Sequence, residues 1–221
     1  PKKQARIPGY PFHPKNRNKM KEILIVSATS QEIAPFLTLS GTAPEARTRI
    51  AGHAVRVCST GVGVVAATFH IRQLTAQYNP ALIVQAGIGG AYPDASLNVG
   101  DTVTVGTETL ADLGVCYPEG FRNRFPEDRT LVNPDEYPEL PFPRVRGNTV
   151  SCACSPLVQK GDAAIESMEG YALFYVCTRL GIPFLELRTV SNLVSTDRSS
   201  WNPAAATASL ALALEETLTW L

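Results

Sequence analysis

The chain is short of histidine, has no net charge and has no long apolar run, and each shortage removes a class of function. Its three histidines are His13, His53 and His70. None follows a predicted strand and no Gly-x-Ser-x-Gly elbow occurs, which argues against a Ser-His hydrolase. Formal net charge is zero at pH 7, and the basic residues are scattered beyond the first twenty positions, so nucleic-acid binding is not expected. No apolar stretch reaches the length of a membrane span and no secretory signal is visible, which predicts a cytoplasmic protein without a membrane partner. The five cysteines, Cys58, Cys116, Cys152, Cys154 and Cys177, are odd in number and mostly embedded in apolar sequence. They read as buried thiols in a reducing compartment rather than a disulfide framework. No histidine stands at ligand spacing from Cys152-Ala-Cys154, so no metal is expected. A GxxxxGK[ST] loop is absent, and Gly61-Val-Gly63 lacks the third glycine of the dinucleotide fingerprint and does not follow the first strand.

What is present is an alternation of strands and helices long enough for one large domain. Residues 1–19 hold six Lys/Arg, five of them before position 18, and four Pro and read as a flexible extension, with a single folded domain over 20–221. Ile23–Val26, Ala54–Cys58, Ala81–Val84, Thr102–Val105, Thr149–Cys154, Ala163–Ile165 and Phe184–Val190 read as strands. Helices are predicted over Gln31–Leu39 with Ser30 as cap, from Val64 to about Tyr78, over Gly170–Leu180 stopped by Gly181, and from the Asn202-Pro203 start to Trp220. The segment from about Tyr117 to Arg146 is rich in proline and charge and reads as a loop excursion, either a lid or an interface. The expected class is α/β, a three-layer sandwich whose central mixed, largely parallel sheet is flanked by helices.

Polar or glycine-rich elements follow five of these strands: Glu32, Thr60–Gly63, Gly87–Gly90, Met168-Glu169 and Arg188–Asn192. Singly each has an ordinary explanation. Glu32 can compensate a helix dipole, Met168 can be core packing, and Gly87-Ile-Gly-Gly can simply let backbones pass closely. Together they converge on one rim of the sheet, where open α/β folds place ligands. Met168-Glu169 offers an apolar plate beside a carboxylate, suited to a sugar with vicinal hydroxyls. Asn192 offers an amide that donates and accepts, suited to a heterocyclic base. The constellation points to a nucleoside.

Six segments carry a resemblance: Ser59-Thr-Gly-Val-Gly63, Gln85-Ala-Gly-Ile-Gly-Gly90, Val99-Gly-Asp101, Ala111-Asp-Leu-Gly114, Glu166-Ser-Met-Glu-Gly170 and Arg188-Thr-Val-Ser-Asn192 with Trp201-Asn202 behind it. The chain resembles the purine nucleoside phosphorylase and nucleosidase superfamily over nearly all of 20–221, and within it the futalosine hydrolase group of the alternative menaquinone pathway. The resemblance implies that Glu32 activates the attacking water, that Met168 packs under the ribose and that Glu169 accepts from the ribose hydroxyls. It implies further that Gly87, Ile88 and Gly89 line the substrate, that Ser191 supports the loop, and that Asn192 contacts the base. No cofactor is implied, and homo-oligomers are usual.

Two departures refine this expectation. Asn192 stands where adenine-specific methylthioadenosine/S-adenosylhomocysteine nucleosidases carry a protonating aspartate. A neutral amide can donate to N7 and to a six-keto oxygen, which favours hypoxanthine or guanine. Ile88 stands where the phosphorylases carry a hydroxyl, and no arginine occurs between Glu22 and Ala43 or from Gln73 to Gly120, so phosphate lacks a clamp. Hydrolysis of a 6-oxopurine nucleoside is the expected reaction. The alternatives are phosphorolysis of inosine or guanosine, an adenine-type nucleosidase, or a catalytically silent nucleoside-binding protein. Arg188 reads as a structural partner of a carboxylate behind the site. Arg198 and Trp201 are placed to meet an aromatic carboxylate tail.

Overall fold

A computed structural model describes residues 22–122, 129–135, 137, 140–195 and 197–221. The predicted extension, residues 1–19, lies outside the described residues.

The first strand, β1 (Glu22–Ser27), is buried along its whole length, as a strand covered on both faces must be. Its alternate side chains feed two separate cores. Ile23 and Ile25 join Val55, Val57, Val84 and Leu185 on one face, whereas Leu24 and Val26 join Ile83, Phe174 and Phe184 on the other. Helix α1 (Ser30–Ser40) and the C-terminal helix α4 (Pro203–Trp220) cover the first face through Ile33, Phe36, Leu210 and Leu214. Helices α2 (Val64–Tyr78) and α3 (Gly170–Leu180) cover the second through Ala67, Ile71, Leu173 and Phe174. Helices on both faces of a mixed sheet give the expected layers.

The sheet itself departs from an open sandwich. The remaining strands are β2 (Arg47–Ile50), β3 (His53–Ser59), β4 (Leu82–Ala91), β5 (Thr102–Leu110), β8 (Thr130–Val132), β9 (Arg144–Thr149), β10 (Ile165–Ser167) and β11 (Phe184–Leu193), with β6 (Val115–Tyr117) and β7 (Gly120–Arg122) forming a separate hairpin. Their order is β10-β9-β5-β11-β4-β1-β3-β2, and β10 also pairs back onto β4. That last pairing is antiparallel and closes β4, β11, β5, β9 and β10 into a barrel-like ring, with β1, β3 and β2 as an open wing. The pairings of β1 with β3 and β4, of β4 with β11, and of β5 and β10 with β9 are parallel; β11 meets β5 antiparallel. Closure depends on Gly89, where a Cβ would stand 2.8 Å from the Glu166 carbonyl oxygen. The ring can shut only because that side chain is missing.

Four local expectations are corrected. The cap of α1 is Thr29, not Ser30: its hydroxyl accepts from the Glu32 N–H and the Glu32 carboxylate accepts from the Thr29 N–H, a full capping box. Gly87–Gly90 lies inside β4 rather than in a turn after it. The stretch Thr149–Cys154 is not a strand; β9 ends at Thr149 and the chain then turns. The Tyr117–Arg146 excursion contains β7, β8 and the start of β9. Of the cysteines, Cys58 and Cys177 are buried, burial raising the Cys58 thiol to about 11, whereas Cys116 and Cys152 are exposed and Cys154 half-buried. All five are free thiols. Among the described residues no helix is long and apolar enough to cross a membrane.

Candidate active site

Strand β4 is the floor of a pocket of about 500 Å³, a volume suited to a small organic ligand. Polar side chains from four other elements rise around it. Glu32 arrives from the first turn of α1, Met168 and Glu169 from the end of β10, Ser191 and Asn192 from the end of β11, and Trp201 from the approach to α4. Ile88 and Gly89 line the pocket as expected. Gly87 lies behind them, where a Cβ would meet Arg188 Nη1 at 2.4 Å and Glu32 Oε1 at 3.2 Å. It makes room for the supporting charges rather than touching the cavity.

The Glu32 carboxylate is held at both oxygens. Oε2 accepts from the Thr29 N–H at 3.0 Å, the Thr29 hydroxyl at 3.1 Å and the Ser27 hydroxyl at 3.3 Å. Oε1 accepts only from the Ile88 N–H, at 3.2 Å, and keeps a lone pair for a ligand. The helix-capping role and the site role are therefore both served, one by each oxygen.

Glu169 is held by one backbone donor and one buried cation. Its Oε1 accepts from the Gly63 N–H at the start of α2, at 2.9 Å, and its Oε2 stands 3.6 Å from Arg188 Nη1. Burial pushes its carboxyl above the ordinary range, against the opposing pull of Arg188 and of the Gly63 N–H. Arg188 is itself buried, with Nε donating to Glu186 Oε1 at 2.7 Å. Burial works against the cation, but Glu186, Glu169 and Glu32 outweigh it and hold its pKa above the usual value. Behind Glu186 lies a further acid, Glu108, which accepts from the Thr149 hydroxyl at 2.6 Å. Burial first and the neighbouring Glu186 second raise Glu108 well above the carboxylate range, and burial raises Glu186 as well, against the opposing pull of Arg188. Arg188 is thus the structural partner expected from the sequence.

At the other end of the floor, Asn192 has a fixed orientation. Its Oδ1 accepts from the Ser191 hydroxyl at 2.7 Å, and its Nδ2 donates to the Leu193 carbonyl at 3.0 Å. One N–H remains for a ligand. Ser191 also stands 3.1 Å from the Gly89 carbonyl, tying the residue to the floor strand.

Glu166 was quoted only as part of a motif and not named for the site, yet it lines the pocket and is buried. Strand periodicity was the available signal: residues two apart share a face, so a pocket-facing Met168 implies a pocket-facing Glu166. Val62, Cys154, Ala204 and Thr207 also line the cavity, brought there by turns and by α4 in a way no local pattern announces. Trp201 lines the pocket as well, with the Arg198 guanidinium 5.0 Å from its ring centre. Among the described residues the lining includes three carboxylates, Glu32, Glu166 and Glu169, and no Lys, Arg or His.

A sequence profile of the phosphorylase superfamily matches residues 22–155 and 157–219. The chain belongs to that superfamily. A curated member, the futalosine hydrolase of Thermus thermophilus, is 30% identical over 223 residues, covering 88% of this chain and 94% of its own. A 5'-methylthioadenosine/S-adenosylhomocysteine nucleosidase from a Shewanella species is 26% identical, covering 78% of this chain and 80% of its own. Among superfamily members with solved structures, the futalosine hydrolase of Helicobacter pylori superposes with a TM-score of 0.75 at 17% identity, over 91% of this chain and 99% of that one. That likeness shows a shared fold.

Proposed function

We propose that this protein hydrolyses the N-glycosidic bond of a 6-oxopurine nucleoside, with futalosine as substrate and hypoxanthine and dehypoxanthine futalosine as products, in menaquinone biosynthesis. That it is an N-glycosyl hydrolase follows from its superfamily together with relatives that are nucleosidases. The observation that carries the choice of water over phosphate is the lining of the pocket: three carboxylates and no cation among the described residues. A phosphate dianion would be repelled there, whereas a developing ribosyl cation would be stabilised.

In this reading the nucleoside lies along β4, with its sugar at the Gly87–Ile88 end and its base at Gly90. The C1'–N9 electron pair leaves with the base as the sugar gains oxocarbenium character. Glu169 accepts from the ribose hydroxyls over the Met168 plate, and its charge, balanced from behind by Arg188, favours the cation as it forms. The free N–H of Asn192 donates to the departing purine, stabilising the charge it gains. Glu32, through the lightly used Oε1, takes a proton from the water that adds to C1', and the departed purine anion takes up one proton from solvent as Glu32 gives its own back, so that water supplies OH to the sugar and H to the base. Val62, Trp201 and Ala204 leave an apolar outer end for a 5' substituent, and Arg198 beside Trp201 suits a carboxylate on it.

The competing reading is an adenine-type nucleosidase, which has relatives such as the Shewanella enzyme in its favour. The amide at Asn192 opposes it. Assembly with a second copy and residence in the cytoplasm belong to the proposal too; Val65 and Phe69, 85% and 65% exposed on α2, offer an apolar surface for such assembly.

The test is chromatographic. Purified protein is incubated with futalosine, inosine and methylthioadenosine, each with and without phosphate, and free base and sugar product are measured. Hypoxanthine released from futalosine without phosphate is the expected result. Release only with phosphate would make the protein a phosphorylase, and adenine release from methylthioadenosine would overturn the assignment of the base.

A further inference from the structure

Strand β11 carries an acid and a cation where its apolar pattern calls for neither. Phe184 and Val190 share one face of the strand and join the second core. Between them on that face, two residues apart, lie Glu186 and Arg188, 0% and 1% exposed. Glu186 Oε2 has no hydrogen-bond partner among the described residues. Replacing a buried ion pair by apolar residues is often neutral or stabilising, so stability does not account for Glu186. The hydrolysis outlined above uses Arg188 to balance Glu169 and gives Glu186 no task.

Arg188 is a cation shared unequally. Its Nε donates to Glu186 Oε1 at 2.7 Å, whereas Nη1 stands 3.6 Å from Glu169 Oε2 and donates to the Ile88 carbonyl at 3.4 Å. Nη1 also faces Glu32, since a Cβ on Gly87 would meet Nη1 at 2.4 Å and Glu32 Oε1 at 3.2 Å. The close contact therefore goes to the acid that does not line the pocket, and the longer ones go to two acids that do. The start of α3 lies against Glu186 as well. A Cβ on Gly170 would stand 2.5 Å from Glu186 Oε1 and 2.4 Å from Glu108 Oε1. A helix N-terminus favours negative charge, which helps Glu186 to stay ionised beside Glu108.

We propose that Glu186 is a positioning residue for the hydrolysis: ionised, it answers the charge of Arg188 from behind, so that Glu169 keeps its own charge toward the sugar. The inference rests on the hydrolase reading above. Charge counting shows why Arg188 and Glu169 would not serve alone. They would form a neutral pair, and a neutral pair does little for a developing ribosyl cation. With Glu186 added, the three carry a net negative charge, and the closer contact holds the cation on the side away from the sugar. Glu32 gains in the same way, because its Oε1 must attract a proton while facing Nη1. Glu108, the fourth acid of the group, bonds to the Thr149 hydroxyl and completes the packing behind Glu186.

The experiment reads Glu169 directly as well as turnover. Glutamate carboxyl carbons are labelled with carbon-13, and Glu169 and Glu186 are titrated by NMR in the wild type and in Glu186→Gln. Glu108→Gln, at a neighbouring and equally buried acid, is the control. Gln keeps an acceptor for Arg188 Nε and removes only the charge. In Glu186→Gln the Glu169 midpoint is expected to fall by about 1–3 pH units, the pull of an opposite charge no longer offset. Its kcat on futalosine should fall about 10- to 100-fold with KM little changed, the mark of an interaction made in the transition state. Glu108→Gln should leave both readings near those of the wild type. If Glu186→Gln does not fold, the wild type still decides: an ionised Glu186 at neutral pH supports the proposal and a protonated one overturns it. An unmoved Glu169 midpoint, or an equal loss of kcat in Glu108→Gln, overturns it too. A lowered midpoint with no nucleoside hydrolysed means that the hydrolase reading fails and the charge placement stands. Futalosine hydrolysis with an unmoved midpoint means the reverse.

Discussion

Arg188 Nε donates to Glu186 Oε1 at 2.7 Å, and both side chains are almost wholly removed from solvent, at 2% and 0% exposure. Residues two apart on β11, they share a face of the strand and point together under the pocket. The guanidinium then reaches forward to Glu169, so that one cation stands between that carboxylate and the interior. Breaking such a buried pair by removing one partner leaves an uncompensated charge. Arg188→Met is expected to destabilise the fold by about 3–5 kcal/mol, read from urea unfolding. A loss below about 1 kcal/mol, the range of exposed pairs, would show that Arg188 is not the anchor of this cluster.

Glu108 gives the opposite expectation. Its carboxyl is pushed up, because burial and the adjacent Glu186 disfavour its charge more than the Thr149 hydroxyl favours it. A carboxyl whose pKa is raised in the folded chain contributes stability that is complete below the unfolded value, about 4.3 for Glu, and is lost as pH rises through the folded value. Glu108→Gln keeps the shape and removes the titration. Its stability should fall less than that of the wild type between about pH 5 and about pH 8. Urea unfolding at the two pH values measures this, and parallel changes in the two proteins would refute a raised Glu108.

The N-terminus of α3 is built around these same acids. A Cβ on Gly170 would meet Glu108 Oε1 at 2.4 Å and Glu186 Oε1 at 2.5 Å. Gly170→Ala, in a helix that would ordinarily welcome alanine, is instead expected to destabilise by about 1–3 kcal/mol through overpacking. A gain in unfolding temperature would mean that the acids have room to move apart.

Much of this arrangement was legible in the sequence because it rests on local patterns. The α2 and α3 boundaries and the Asn202-Pro203 start of α4 follow from periodicity and end signals, and they match the structure residue for residue. Met168, Glu169, Ser191 and Asn192 were found because they sit at strand ends, where ligands collect. What local pattern could not supply was long-range pairing. The run Gly87–Gly90 reads as a turn by composition, and only the return of β10 onto β4 explains glycines inside a strand. Arg47–Ile50, an edge strand of alternately exposed and half-buried residues in which Ile50 is apolar, carries too short an apolar signal to be read as a strand.

Glu32 allows structure and chemistry to be separated. A capping box accepts Gln in place of Glu, so Glu32→Gln should retain the α1 start while removing the group that takes a proton from water. Its kcat on futalosine is expected to fall about 10²–10⁴-fold, the usual worth of a general base, with the unfolding temperature nearly unchanged. Activity within about threefold of wild type, well below that range, would reduce Glu32 to a helix cap.

Asn192 sets the last expectation, because its orientation is dictated by its neighbours. Ser191 donates to Oδ1, which forces Nδ2 toward Leu193 and the pocket. Asn192→Asp keeps the acceptor for Ser191 but replaces the donating group with an oxygen, which faces the Leu193 carbonyl and a purine N7. Both are acceptors, so the new carboxyl must hold a proton to be tolerated there. A protonated acid can donate to the N7 of adenine. Hypoxanthine release from futalosine should therefore fall by at least about tenfold, the worth of a hydrogen bond lost with a partner left unpaired. Residual activity should improve as pH is lowered, because protonation restores the donor. Methylthioadenosine cleavage should appear in its place, since the protonated acid can donate to the adenine N7. An Asn192→Asp variant that keeps wild-type hypoxanthine release and leaves methylthioadenosine uncut would show that the amide does not set base choice.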